Sequence, residues 1–341
     1  MSYITIDNLT HIMAEMTDYC NAACPMCQRF DWDLNLVKDV TNKHHTTLDF
    51  VKKRIGDEVI SRLKSWLCQG TYGDALMNPE TLDIFKYLKK VNPKIGLGMI
   101  TNGGTRNTDF WKTLAQLDVQ VSFSIDGLED TNHLYRRNVK WTKLMENVTA
   151  FIDNGGHASW GYLIFKHNQH QVQDAEQLSK QLGFKKFTSS FSERWQDFNF
   201  EGEYRDIKSL KVDDYVIEKP ETQEKTYIKK ETKGGDLVRS KNVFQTEDKN
   251  DFHTRKISCW ACQPKKREIY LRANGYVSPC CILGDVERNE PKQIIKDYKK
   301  INLHHTDLKD ILEGEFFKDI SDGINGGEKR LQGCYHACGV K

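Results

Sequence analysis

From about residue 10 to residue 195, short apolar runs alternate with stretches whose apolar residues recur every three or four positions. That is the rhythm of parallel β/α units. The runs predict strands at 11–16, 65–69, 95–101, 119–125, 159–165 and 184–188, and the spacing between them predicts helices over 47–60, 79–91, 108–117, 142–154 and 172–182. In the helix over 142–154, Leu144, Met145, Val148, Phe151 and Ile152 share one face, and Gly155-Gly156 supplies its stop. Six such units make the fold class α/β, with the sheet curled into an open, partial barrel. From 201 to 256 the pattern fails: Lys, Glu and Asp crowd together and Gly234-Gly235 interrupts. This segment reads as a charged, solvated linker with short ordered pieces, or as a lid over a substrate site. Residues 257–341 hold six of the ten cysteines and little apolar sequence, so they read as a small separate module that a metal would help to fold. The expected division is thus 1–200, 201–256 and 257–341.

Charged residues make up 29% of the chain, but 50 Lys and Arg against 48 Asp and Glu leave a net charge of +2. That balance argues against a nucleic-acid partner. No apolar run is long enough to span a membrane, and the N-terminus lacks a basic segment followed by an apolar one. The chain therefore reads as a cytoplasmic protein with no membrane partner. In a reducing compartment ten cysteines serve as metal ligands or catalysts before they serve as disulfides.

Directly after the first strand comes Cys20-x3-Cys24-x2-Cys27. Three thiolates on one tight loop can hold three irons of a cubane iron–sulfur cluster and leave the fourth open. A structural zinc site needs four ligands, and His44 and His45 lie well downstream. This triplet, its place after strand one and the β/α rhythm resemble the radical S-adenosylmethionine (radical SAM) superfamily. The resemblance implies a partial (β/α)6 TIM-like barrel with a [4Fe–4S] cluster on Cys20, Cys24 and Cys27. It also implies SAM chelated by the unique iron, with Met26 among its contacts, and an external flavodoxin- or ferredoxin-like electron donor. Cleavage of SAM would give a 5′-deoxyadenosyl radical that abstracts hydrogen from substrate.

Three further segments match in order. Gly70-Thr71-Tyr72-Gly73-Asp74-Ala75 resembles the superfamily's Gly-Gly-Glu-Pro segment, with Tyr72, Asp74 and Ala75 as departures, and implies that Gly73 and Asp74 border SAM. Thr101-Asn102-Gly103 resembles the Thr-Asn-Gly strand end, and Ser124-Ile125-Asp126-Gly127 the Ser-Ile-Asp-Gly of the SPASM/twitch subgroup. Ser124 and Asp126 alternate along one strand and so face the same way, and the resemblance implies that both reach ribose hydroxyls or other polar groups of SAM, with Thr101 and Asn102 also bordering the cofactor. His133-Leu134-Tyr135-Arg136-Arg137 resembles the subgroup's His…Arg stretch, implying that Arg136, or failing it Arg137, pairs with the SAM carboxylate. Alone, each segment would be a turn or a surface charge; their joint order behind the cysteine triplet carries the resemblance.

The C-terminal part reads Cys259-x2-Cys262, Gly275-x4-Cys280-Cys281 and Cys334-x3-Cys338, which looks like a twitch or shortened SPASM module. The resemblance implies a second, auxiliary [4Fe–4S] cluster on Cys259, Cys280, Cys334 and Cys338, with Cys262 competing for the first place. A variant similar to the molybdopterin-precursor cyclase would use Cys259, Cys262 and Cys280, and a four-cysteine zinc ribbon fits the spacing as well. Cys68, outside both sets, reads as a buried core thiol or as the hydrogen donor that peptide epimerases of the superfamily require, a role for which Cys262 and Cys281 compete. The resemblance implies a radical SAM oxidoreductase that modifies a peptide by oxidation, crosslinking or epimerisation. Two alternatives stand beside it, a twitch-type dehydrogenase of a small alcohol or sugar and a non-catalytic iron–sulfur or zinc-stabilised binding protein. With the first cluster starting at Cys20, no leader-binding domain is expected ahead of the barrel, so peptide recognition would fall to a partner or to 201–256.

Overall fold

The computed structural model describes residues 4–198 except 32, 38–39 and 42; 204–221 except 207 and 214; 257; 267–284; 294–331 except 327–328; and 334 and 338. Six parallel strands follow in chain order: β1 (His11–Ala14), β2 (Ser65–Cys68), β3 (Gly96–Thr101), β4 (Val119–Ser124), β5 (His157–Ile164) and β6 (Lys186–Phe191). The helices between them are α1, which runs from Leu48–Phe50 through a π turn at Val51–Ile55 into Gly56–Arg62, then α2 (Thr81–Val91), α3 (Thr108–Gln116), the short α4 (Asn132–Tyr135), α5 (Trp141–Asp153) and α6 (Val172–Gln181).

Alternation decides which side of the sheet is covered. On β5, Ala158, Trp160, Tyr162 and Ile164 are buried while Ser159, Gly161 and Leu163 are partly open. The same row continues on β4, where Phe123 pairs in register with Trp160 and meets aromatic side chains of the helices: Trp111 of α3 stacks on it at 5.2 Å and Phe151 of α5 meets it edge-on at 5.9 Å. The other row faces the inside of the partial barrel.

The sixth strand starts two residues later than the pattern predicts and runs to Phe191. Gly183, at φ +88°, turns the chain out of α6, and Phe184 packs on Trp160 at 5.3 Å instead of joining the ladder. Because β6 borders the open side, its Thr188 and Ser190 can remain exposed. The 201–256 region holds more structure than its composition suggests. An antiparallel hairpin of β9 (Ser209–Val212) and β10 (Tyr215–Glu218) follows the small pair β7 (Gln196–Phe198) and β8 (Tyr204–Asp206). Val212 and Ile217 of the hairpin are fully buried in the main core. Tyr215 donates to the Leu134 carbonyl, Asp213 pairs with Arg137, and Lys166 N donates to Glu218 O at 3.1 Å, so the hairpin sits against the β4 and β5 ends.

The C-terminal part joins the same sheet. Strand β11 (Glu268–Leu271) pairs in parallel with β1 from His11↔Glu268 to Ala14↔Leu271, and β12 (Val277–Ser278) returns antiparallel to it. Helices α7 (Leu308–Leu312) and α8 (Glu315–Ile324) bury Leu308, Leu312, Phe317 and Ile320. The expected boundary at 257 therefore precedes a strand that extends the sheet at its β1 side.

Candidate active site

The cysteine loop is fastened before its first cysteine. Asp18 accepts from the Thr41 amide and hydroxyl, both at 3.1 Å, from the His44 amide at 2.9 Å, and lies 2.7 Å from His44 Nδ1. Burial would raise this carboxyl, but the His44 and Thr41 bonds outweigh it and hold the group below the usual range. Within the loop, Cys27 N donates to Cys24 O at 3.0 Å and Ala23 N to Arg137 O at 3.1 Å.

Two of the sulfurs face N–H donors. Ala22 N lies 3.4 Å and Asn102 Nδ2 3.6 Å from Cys20 Sγ, and Arg136 Nη1 lies 3.5 Å from Cys24 Sγ. Such donors stabilise thiolate and the sulfurs of a ligated cluster. Burial pushes the Cys24 thiol up to about 11 against the pull of Arg136, and the Cys20 thiol also rises through burial. Iron ligation displaces these protons. Three thiols on one loop, with donors aimed at two of them, fit a [4Fe–4S] cluster.

Asp74 is the hub beside the loop. It accepts from Thr101 Oγ1 at 2.9 Å to each oxygen, from the Asn102 amide at 2.9 Å, from Asn102 Nδ2 at 2.7 Å and from Leu76 N at 3.0 Å. Burial raises its carboxyl, opposed by these bonds and by Arg136. Asn102 Nδ2 also reaches Asn21 Oδ1 at 2.9 Å, so the strand ends of β2 and β3 are tied to the cysteine loop through one side chain. At Gly73 a Cβ would stand 2.1 Å from Thr17 O and 2.9 Å from Tyr19 O. The close backbone approach this glycine permits is that of the chain's own cysteine loop.

Across the site, Asp126 is fully buried. Its Oδ1 accepts from Leu163 N at 2.6 Å and its Oδ2 from Arg136 Nε at 2.6 Å. Burial raises the Asp126 carboxyl and Arg136 opposes that rise. Burial would lower Arg136, but Asp126 and Cys24 outweigh it and hold the guanidinium firmly charged. Its Nη2 makes no hydrogen bond among the described residues, and the side chain keeps 17% exposure, so it can still meet a ligand carboxylate. Ser124, half-buried, also offers a hydroxyl without a partner among the described residues. These free donors fit the polar groups of SAM. Arg137 instead pairs with Asp213 of the hairpin.

Met26 buries its side chain, and its carbonyl accepts from Arg194 Nη1 at 2.6 Å. Arg194, in the turn after β6, escaped the sequence analysis, as did Asp18, Asn21 and Glu15. Cys68 lies in register with Ala14 and Met99, in the buried row that faces the helices. Burial holds its thiol well above the usual range, with Glu15 adding to the rise. This burial fits the core-thiol reading of Cys68; the hydrogen-donor reading requires a thiol that faces the substrate.

In the C-terminal part, Cys280 and Cys334 are half-buried at the edge of the main core, and Cys338 is likewise half-buried. Cys281 packs instead against the small cluster of Val37, Val40, Tyr72 and Tyr270. Cys259 and its competitor Cys262 lie outside the described residues.

Comparison with known proteins agrees with this geometry. Residues 14–179 match the radical SAM superfamily, and residues 259–339 match SPASM, an iron–sulfur cluster-binding domain. Among solved structures, SuiB from Streptococcus suis is similar with a TM-score of 0.57 at 14% identity, over 97% of this chain and 72% of SuiB. Its form bound to the precursor peptide SuiA gives a TM-score of 0.55 at 12% identity, over 95% and 67% of the two chains. The anSMEcpe structure with bound AdoMet gives 0.59 at 15% identity, over 97% and 84%. At these identities the likeness is one of fold. No curated protein matches the chain in sequence, and no helix among the described residues is long and apolar enough to cross a membrane. The strand order, the cysteine loop and the two domain matches agree, and the chain belongs to the radical SAM superfamily, whose cofactors are SAM and a [4Fe–4S] cluster, with a SPASM domain at its C-terminal end.

Proposed function

We propose that this chain is a cytoplasmic radical SAM oxidoreductase that takes hydrogen from a peptide during its maturation. The cysteine loop carries the reading: Asn102 and Arg136 bring N–H donors to Cys20 and Cys24, and Arg136 keeps a donor free beside them. When bound, the cluster and SAM supply the reductive cleavage that yields a 5′-deoxyadenosyl radical. The chain's own part is positional. Asp126 orients Arg136 toward the SAM carboxylate, Ser124 offers its hydroxyl from the same strand face, and Asp74 with Thr101 and Asn102 fixes the loop ends. Met26, Gly73 and Asp74 complete the SAM surroundings, and a flavodoxin- or ferredoxin-like protein delivers the electron. Cys259, Cys280, Cys334 and Cys338 hold the auxiliary [4Fe–4S] cluster in the 257–341 part. The peptide substrate is supported by two structural neighbours, SuiB bound to its precursor peptide and anSMEcpe bound to AdoMet and a peptide.

The test is anaerobic reconstitution. About eight irons per chain mark two cubane clusters, and reductant with SAM should release 5′-deoxyadenosine, lost in Cys24→Ala. A short peptide encoded beside the gene should change mass on incubation. Four irons with one zinc would make the C-terminal part a structural ribbon, and no iron at all would refute the reading.

A further inference from the structure

Glu15 follows β1 and is 1% exposed, a setting in which a carboxylate needs firm partners. Its Oε1 accepts from the Thr71 amide at 2.8 Å and from the Tyr270 hydroxyl at 2.7 Å, and its Oε2 accepts from the Tyr72 amide at 3.1 Å. Thr71 and Tyr72 belong to the segment that resembles the superfamily's glycine-rich SAM loop, whereas Tyr270 lies on β11, 255 residues away in sequence from Glu15. The Arg272 guanidinium lies 4.1 Å over the Tyr72 ring, at a position where the superfamily segment has glycine. The C-terminal strand therefore grips this loop twice, once through Glu15 and once through the ring.

A trans peptide is planar, so an amide N–H and the carbonyl of the preceding residue point opposite ways. Pinning the Thr71 and Tyr72 amides on Glu15 thus turns the Gly70 and Thr71 carbonyls away from it. Neither carbonyl accepts a hydrogen bond among the described residues. Two acceptors held side by side and left open suit an ammonium group.

We propose that Glu15 and Tyr270 are positioning residues that aim the Gly70 and Thr71 carbonyls at the SAM ammonium, so that the C-terminal strand forms part of the SAM site. This rests on the reading of the Gly70–Asp74 loop as SAM-binding. Tyr270→Phe removes one hydroxyl and leaves the ring, and Glu15→Gln keeps the shape but sets an NH2 against a donor.

The full-length reconstituted protein is assayed for 5′-deoxyadenosine release over a range of SAM concentrations, with iron counted per chain. Each variant should raise the KM for SAM roughly tenfold, the weight of one hydrogen bond to a charged acceptor, with kcat and iron content unchanged. A purely structural role would lower iron content or kcat and leave KM alone, which overturns the proposal. Wild-type protein that cleaves SAM while Tyr270→Phe keeps its KM within twofold overturns this inference and spares the proposed function. Wild-type protein that does not bind SAM overturns both. Should Tyr270→Phe fail to take up iron, amide exchange at Thr71 and Tyr72 in the iron-free chain decides. Faster exchange than wild type supports the tie, and equal exchange refutes it; Glu15→Gln repeats the measurement if the first variant does not fold.

Discussion

Replacing Gly73 with alanine should break the cysteine loop without touching a cysteine. The added Cβ would stand 2.1 Å from Thr17 O, 2.7 Å from Thr17 C and 2.9 Å from Tyr19 O. A carbon–oxygen contact relaxes to about 3.3 Å, so the two backbones must part by roughly 1 Å, and no flexible side chain is there to yield. The segment that would move is held by Thr17 Oγ1 donating to His44 O at 2.9 Å, by Tyr19 N on Thr17 Oγ1 at 3.1 Å and by Asp74 N on Tyr19 O at 2.9 Å. Overpacking costs about 1–3 kcal/mol and loss of the Asp74 to Tyr19 bond about 1 kcal/mol more, roughly 2–4 kcal/mol together. Urea unfolding of the iron-free chain reads this loss, and iron uptake reads its effect on the loop. Gly161→Ala is the matched control, because its Cβ would meet nothing nearer than 3.8 Å and its φ is ordinary. A Gly73→Ala protein within about 0.5 kcal/mol of wild type and with full iron would refute the packing argument.

Three further substitutions test separate parts of the structure. Asp126→Ala leaves Arg136 buried without its carboxylate and should lower stability by about 3–5 kcal/mol, measured by chemical unfolding; a change under 1 kcal/mol would mean the pair is solvated. Ile217→Ala, in the hairpin core, should cost about 2–5 kcal/mol. By contrast Asp213→Ala, which removes a largely exposed partner of Arg137, should cost under about 1 kcal/mol; equal effects would show that the hairpin is held by charge. Cys68→Ala should keep both SAM cleavage and product formation at a cost of about 1 kcal/mol in stability, and loss of product with cleavage intact would support the hydrogen-donor role.

The parallel sheet was legible because strands β1 to β5 each bury an alternating row, as Trp160 and Tyr162 do on β5, and the site motifs were legible from the topology of that sheet. In a parallel β/α chain every strand ends on the same side, so Cys20, Asp74 and Asp126 in the segments after strands, Thr101 at the last position of β3 and Arg136 at the end of α4 converge although far apart in sequence. Order along the chain then reports neighbourhood. What the pattern could not report is the late strand that joins the sheet beside β1. Glu268-Ile269-Tyr270-Leu271 is four residues long, buried throughout, and marked by no alternation, so nothing local says that it lies beside His11–Ala14. The hairpin was hidden differently: Leu210 and Val212 alternate with charged neighbours and Ile217 answers them across the turn at Asp213, but the surrounding Lys and Glu drown that period in any longer window. Glu15 did leave a signal, an acid closing an apolar strand. Because a buried carboxylate must be satisfied, such an acid demands distant donors, and finding Tyr270 as one of them requires the assembled sheet and not the motif.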